Sequence, residues 1–224
     1  MLLEQLREDI VFYGQQMLKY GLTMHTGGNL SARDPGTGLI AIKPSSVAYD
    51  RMAPEDVTVI DIDGNIVDGK YHPSSEWPMH TMIYKAMPRV KGVVHCHSIY
   101  ATACSVANCE IPLIIHEINV YCSSPVRVAP FEVPGTVELG ESALRGFGDD
   151  NLITLLQNHG PIACGATLWH AFDAACAVEQ TAATFFITRA LGNVVPVPQA
   201  GRIALRAADP LTQEDGDDTV IRSV

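Results

Sequence analysis

Apolar positions at helical spacing open the chain: Leu3, Leu6, Ile10, Tyr13 and Met17, with Gly21 standing where a C-cap belongs, two residues after Lys19. The spacing predicts a helix over about residues 2–20. Thr26-Gly27-Gly28-Asn29-Leu30-Ser31 then reads as a glycine-rich turn whose backbone N–H groups can approach an anion. Leu39 to Lys43 and Val57 to Ile62 read as short strands, the second turning at Asp63-Gly64-Asn65 into a hairpin through Ile66 and Val67. Ser74 before a helix and Pro78 within its first turn mark a start, with the end near Met87, ahead of Pro88.

The second half is strand, helix and turn in shorter alternation. Val93 to Ser98 reads as extended, and Ser98 to Asn108 as helical, with a break at Ile111-Pro112. Residues 116–121 fit a helix or a loop, while Val126 to Ala129 suggests a strand and Thr136 to Leu144 a helix with Thr136 at its cap. Strands follow at Leu152 to Leu156 and Ile162 to Gly165. Thr167 then caps a long helix carrying Leu168, Phe172, Ala175, Val178, Ala182 and Phe185 on one stripe, stopped by Gly192.

Composition narrows the class. A chain of 224 residues, 47% of them hydrophobic, can bury a large core, and we read one domain over residues 1–206. The acidic tail over 207–224 is expected to be mobile or ordered only at a subunit interface. A formal charge of −10 speaks against a nucleic-acid surface, since phosphate backbones need clustered Lys and Arg. The six cysteines show no C-x-x-C spacing and read as reduced thiols. With acidic residues interrupting the N-terminal apolar stretch and no long uninterrupted apolar run, a cytoplasmic location is expected.

Candidate chemistry centres on Val93-Val94-His95-Cys96-His97-Ser98. Side chains of an extended segment alternate, so His95 and His97 project to the same side. A catalytic zinc takes three protein ligands and keeps a position for water or substrate, so a third is needed. The favoured one is His159, in Gln157-Asn158-His159-Gly160-Pro161 at the end of an apolar strand, with His116 as the alternative. Glu76 sits at the mouth of a helix, where it complements the macrodipole or serves as an acid/base. Two Pro-Ser-Ser segments, ending in Ser45-Ser46 and Ser74-Ser75, offer small hydroxyls suited to phosphate oxygens or to turns and caps. His170 lies off the buried stripe and is expected at the surface or an interface. His25, His72 and His80 have no ligand-like spacing.

Taken in order, Gly27-Gly28-Asn29-Leu30-Ser31, Lys43-Pro44-Ser45-Ser46, Pro73-Ser74-Ser75-Glu76, His95-Cys96-His97 and His159-Gly160 resemble the class II aldolase/adducin superfamily. The resemblance covers roughly residues 1–195. Its fuculose-1-phosphate aldolase branch is more similar than its L-ribulose-5-phosphate 4-epimerase branch. It implies an α/β fold, a three-layer α/β/α domain with a central, largely antiparallel sheet, and a homotetramer with active sites at subunit interfaces. It also implies Zn²⁺ on His95, His97 and His159, Glu76 as catalytic acid/base, and a phosphate pocket of Asn29, Ser45, Ser46, Ser74 and Ser75 with the Gly28 backbone.

The expected reaction is therefore reversible cleavage of a ketose 1-phosphate, similar to L-fuculose 1-phosphate, into dihydroxyacetone phosphate and a small aldehyde. A divalent ion stabilises the enediolate charge, so no lysine Schiff base is required. One end departs from the pattern. Fuculose-type enzymes place a proton-donating tyrosine where this chain has Glu117, so nearby Tyr121 becomes the candidate, and residues 197–224 hold no tyrosine. The rival readings are a 4-epimerase, which in that branch carries Asp at the position of Glu76, a dehydratase or decarboxylase of the same superfamily, and a non-catalytic adducin-like assembly module.

Overall fold

Strands with apolar side chains on both faces need helices on both faces to cover them. The computed structural model describes residues 1–207, so the expected acidic tail lies outside the described residues apart from its first position. Eight strands, β1 (Asn29–Arg33), β2 (Ile40–Ile42), β3 (Thr58–Ile60), β4 (Ile66–Asp68), β5 (Gly92–His95), β6 (Val128–Ala129), β7 (Ile153–Leu156) and β8 (Gly160–Gly165), form one sheet. Their order is β4-β3-β2-β1-β5-β8-β7-β6. Every pairing is antiparallel except that of β6 with β7.

Alternation along the strands sorts the core into two layers. Leu30 and Ala32 of β1, Val94 of β5 and Ala163 of β8 pack with Ile10 and Met17 of α1 (Glu4–Lys19), Ala101 of α3 (Ile99–Val106) and Ala171, Ala174 and Val178 of α6 (Leu168–Leu191). Val93, Ile162 and Cys164, one residue out of phase, pack instead with Met79 and Ile83 of α2 (Trp77–Ala86) and Leu139, Ala143 and Phe147 of α5 (Val137–Phe147). The result is the α/β/α arrangement with a largely antiparallel centre. Thr136 and Thr167 cap α5 and α6, their hydroxyls accepting from the N–H groups of Leu139 and His170.

Four local expectations change. Asn29 to Ser31, read as the end of a glycine-rich turn, instead begin the central strand β1, between β2 and β5. Its inward polar residues Asn29 and Ser31 interrupt the apolar run that would have marked it. Residues 116–121, left open between helix and loop, form α4 (His116–Tyr121), and an unforeseen helix, α7 (Gln199–Ala207), packs on it. His170 is buried rather than at the surface, 7% exposed, with Nδ1 3.0 Å from the Thr167 hydroxyl. Burial lowers its pKa to about 4.

Candidate metal centre and active site

Strand register brings the site together. β1 and β5 pair with Asn29 opposite His95, and β5 and β8 pair with His95 opposite Ile162. His159 sits in the three-residue connection between Leu156 of β7 and Gly160 of β8, where Asn158 takes a left-handed φ of 57°. That hairpin delivers the third imidazole beside the end of β5.

His97 arrives by another route. β5 ends at His95, and the chain is then held by the His97 N–H donating to the Leu22 carbonyl at 3.0 Å. The next residue, Ser98, is the N-cap of α3, whose free N–H groups at Tyr100 and Ala101 are met by the Glu179 carboxylate of α6 at 3.0 and 2.9 Å. Two glycines let neighbouring segments close over this backbone. A Cβ on Gly28, which has φ +66°, would lie 2.5 Å from the His95 carbonyl oxygen, and one on Gly160 would lie 2.3 Å from that of Cys96.

The three rings converge through Nε2. His95 Nε2 lies 3.1 Å from His97 Nε2 and 3.2 Å from His159 Nε2. The His95 Nδ1–H donates to the Pro161 carbonyl at 3.0 Å, which leaves the His95 Nε2 lone pair facing the other two. Burial, followed by the neighbouring His159 and His97, holds the His95 pKa well below the ordinary histidine value. His97 is lowered too, by burial and then by His159, against the opposing pull of Glu76. The single His95 Nε2 lone pair can accept a hydrogen bond from only one of its two neighbours, whereas a cation among the three nitrogens would satisfy all of them at once. Zinc–imidazole bonds of about 2.0–2.1 Å at tetrahedral angles set neighbouring nitrogens roughly 3.3 Å apart, close to the spacings found. The residues present therefore fit a divalent metal.

Glu76 is the N-cap residue of α2 and only 5% exposed. Its Oε2 accepts from Asn29 Nδ2 at 2.6 Å and lies 3.5 Å from His95 Nε2. Its Oε1 lies 3.5 Å from His159 Nε2 and has no hydrogen-bond partner despite being buried. An unpartnered carboxylate oxygen in a buried site is costly, so its place beside three imidazoles is that of a group awaiting a ligand or a proton.

The two Pro-Ser-Ser segments are neighbours. Pro44 and Pro73 form an antiparallel bridge, the Ser45 N–H donates to the His72 carbonyl and the Ser74 N–H to the Lys43 carbonyl, both at 2.9 Å. Ser45, Ser46 and Ser75 are exposed, whereas Ser74 is buried and its hydroxyl accepts from the Glu76 N–H. The segment Ser74-Ser75-Glu76 therefore runs without a break from the hydroxyl cluster to the histidines. Tyr121 is not brought to this site. Its hydroxyl donates to Asp173 of α6 at 2.6 Å, in the layer opposite Glu76.

Sequence reading passed over His80, which is wholly buried one helical turn beyond Glu76 and joined to Asn29 and Ser31. The recoverable signal was its four-residue spacing from Glu76, which puts both on one helix face.

Residues 8–186 match the profile described as Class II Aldolase and Adducin N-terminal domain. The chain belongs to the class II aldolase/adducin family. It is 37% identical over 199 residues to 5-deoxy-D-ribulose 1-phosphate aldolase of Bacillus thuringiensis serovar kurstaki, covering 89% of this chain and 92% of the relative. It is 34% identical over 199 residues to L-ribulose-5-phosphate 4-epimerase UlaF of Salmonella paratyphi B, covering 84% and 87%. A solved L-fuculose 1-phosphate aldolase superposes with a TM-score of 0.87 at 31% identity, over 92% of this chain and 97% of that one. Class II aldolases are metal-dependent, which agrees with the converging histidines. Among the described residues of this family member, no helix is long and apolar enough to cross a membrane.

Proposed function

We propose that the protein is a zinc-dependent aldehyde-lyase that reversibly cleaves a ketose 1-phosphate into dihydroxyacetone phosphate and a small aldehyde. The observation that carries this reading is the orphaned Glu76 Oε1 beside three Nε2 atoms that share one point of approach. His95, His97 and His159 hold the metal. A divalent cation there supplies Lewis-acid stabilisation of the negative charge that develops on the substrate's carbonyl and neighbouring oxygens.

The chain's own groups do the rest. Glu76 takes the proton from the hydroxyl whose bond collapses to the aldehyde carbonyl, or returns a proton to the carbon fragment, through Oε1. Ser45, Ser46, Ser74 and Ser75 hold the phosphate with the Gly28 backbone and the second amide hydrogen of Asn29, whose first is committed to Glu76. Tyr121 receives no role in this reading, because its hydroxyl is engaged by Asp173. The same reading places residues 1–206 in one domain and the protein in the cytoplasm. It includes a homotetramer, with exposed Phe186, Ile187 and Leu191 of α6 as apolar surface for a second copy.

The relatives support a ketose phosphate, since two of them are aldolases named for 1-phosphates. The epimerase similarity favours a second reading, in which the same carbon–carbon bond breaks and re-forms without release of fragments. A coupled assay for free dihydroxyacetone phosphate, run over L-fuculose 1-phosphate, 5-deoxy-D-ribulose 1-phosphate and related ketose 1-phosphates, separates the two. Steady release with at least one of them is expected. Epimerisation of L-ribulose 5-phosphate without release would overturn the lyase reading.

A further inference from the structure

Behind Glu76 and Asn29 stands a row of polar side chains, His80, Ser31 and Tyr84, that the proposed reaction leaves unused. Glu76, His80 and Tyr84 recur every four residues along α2, and Asn29 and Ser31 recur every two along β1, so the two series meet face to face. All five are buried, none more than 5% exposed.

Proton positions follow from one end to the other. Asn29 Nδ2 donates to Glu76 Oε2, so the Asn29 Oδ1 is the atom facing His80 Nε2, and that nitrogen must carry hydrogen. His80 Nδ1 is then an acceptor, taking the Ser31 hydroxyl proton at 2.7 Å. The Tyr84 hydroxyl, 2.8 Å from Ser31 Oγ and 3.0 Å from the Ser31 carbonyl, supplies the last donor. Burial lowers the His80 pKa to about 4, against the pull of Glu76, so the ring is neutral at ordinary pH.

We infer that His80 is a positioning residue for Glu76: in its Nε2–H tautomer it fixes the Asn29 amide, which pins Oε2 and presents Oε1 alone to the reactants. The opposite tautomer would make Nε2 an acceptor and turn the Asn29 amide to donate to it. Asn29 Oδ1 would then face Glu76 Oε2, two acceptors in contact, and the carboxylate would rotate away. A single imidazole proton, two side chains removed, thus selects which carboxylate oxygen is free. The inference rests on the proposed role of Glu76 in proton transfer.

The test has two parts. In the wild-type protein labelled with ¹⁵N-histidine, long-range ¹H–¹⁵N correlation at pH 7, assigned by the signal missing from His80→Gln, should show His80 as the Nε2–H tautomer only. Kinetically, His80→Leu should lower kcat about 10–100-fold with KM within about threefold of wild type and zinc content unchanged. His80→Gln, whose side-chain amide can donate to Asn29 from nearly the same point, should recover kcat to within about fivefold of wild type. An Nδ1–H tautomer, a His80→Leu enzyme with full kcat, or equal losses in the Leu and Gln variants would each overturn the inference. If the wild type turns over no ketose phosphate, the proposed reaction fails by itself, and the tautomer measurement still decides the relay.

Discussion

Arg7 and Glu76 are both charged side chains shut away from water, and they are treated in opposite ways. Arg7, on α1 and 1% exposed, has every nitrogen engaged: Nε on the Leu2 carbonyl, Nη1 on the Val57 carbonyl at 2.6 Å, and Nη2 on Asp68. It ties the first helix to the far edge of the sheet. Glu76 has one oxygen satisfied and one left bare, against three imidazoles whose Nε2 atoms converge on one another. A buried ion with a partner on every nitrogen fits a structural tie, and one with a bare oxygen fits a site built to receive something.

That contrast breaks most sharply at the histidines. His159→Ala should leave the fold intact, as judged by circular dichroism, yet abolish stoichiometric metal measured by elemental analysis, with turnover down by about 10³-fold or more. Tight zinc retained by the variant would move the third ligand elsewhere. Next in size, Glu76→Gln should keep its metal while turnover falls about 10²-fold, because the amide still fills the space but cannot carry the proton. Full activity in that variant would remove Glu76 from the chemistry.

Arg7→Met should show the reverse: turnover per folded molecule unchanged, and stability in urea lowered by about 1–3 kcal/mol through the orphaned carbonyls. A loss of turnover without a loss of stability would erase the distinction between the two ends. The smallest effect is on pH. His80 and His170 have pKa values lowered to about 4 by burial. Between pH 6.5 and about 4 the unfolded chain binds protons at these rings and the folded one does not, so stability is full above pH 6.5 and declines as pH falls through that window. Melting of the metal-free protein should follow this course, and His170→Asn should flatten it in part.

The layers were legible because their periodicities were unmixed. The helical repeat of residues 3–17 and the stripe from Leu168 to Ala182 answer to α1 and α6, and the strands near residues 40, 59, 94, 154 and 163 form the sheet. β1 escaped because its inner face is polar, the one place in the sheet where the reading of a core strand gives way to the network around Glu76. The site was legible as a set of residue types in order, not as geometry. Alternation along a strand suggested that His95 and His97 share a side, but the strand stops at His95, and it is the Leu22 carbonyl and the start of α3 that aim His97. His80 has no part in any ligand spacing, and its four-residue distance from Glu76 gains meaning only from its partners in space.

The pairing of β1 with β5 sets Asn29 opposite His95 by count alone. Side chains in a strand repeat every two residues, so one codon gained or lost between Asn29 and Arg33 would send Asn29 and Ser31 to the opposite layer and expose Glu76 to the wrong neighbours. No single replacement elsewhere could restore them. Length variation in descendants or designed libraries is therefore better placed in exposed turns such as Pro35-Gly36-Thr37, while this stretch of five must keep its number of residues as well as its Asn29.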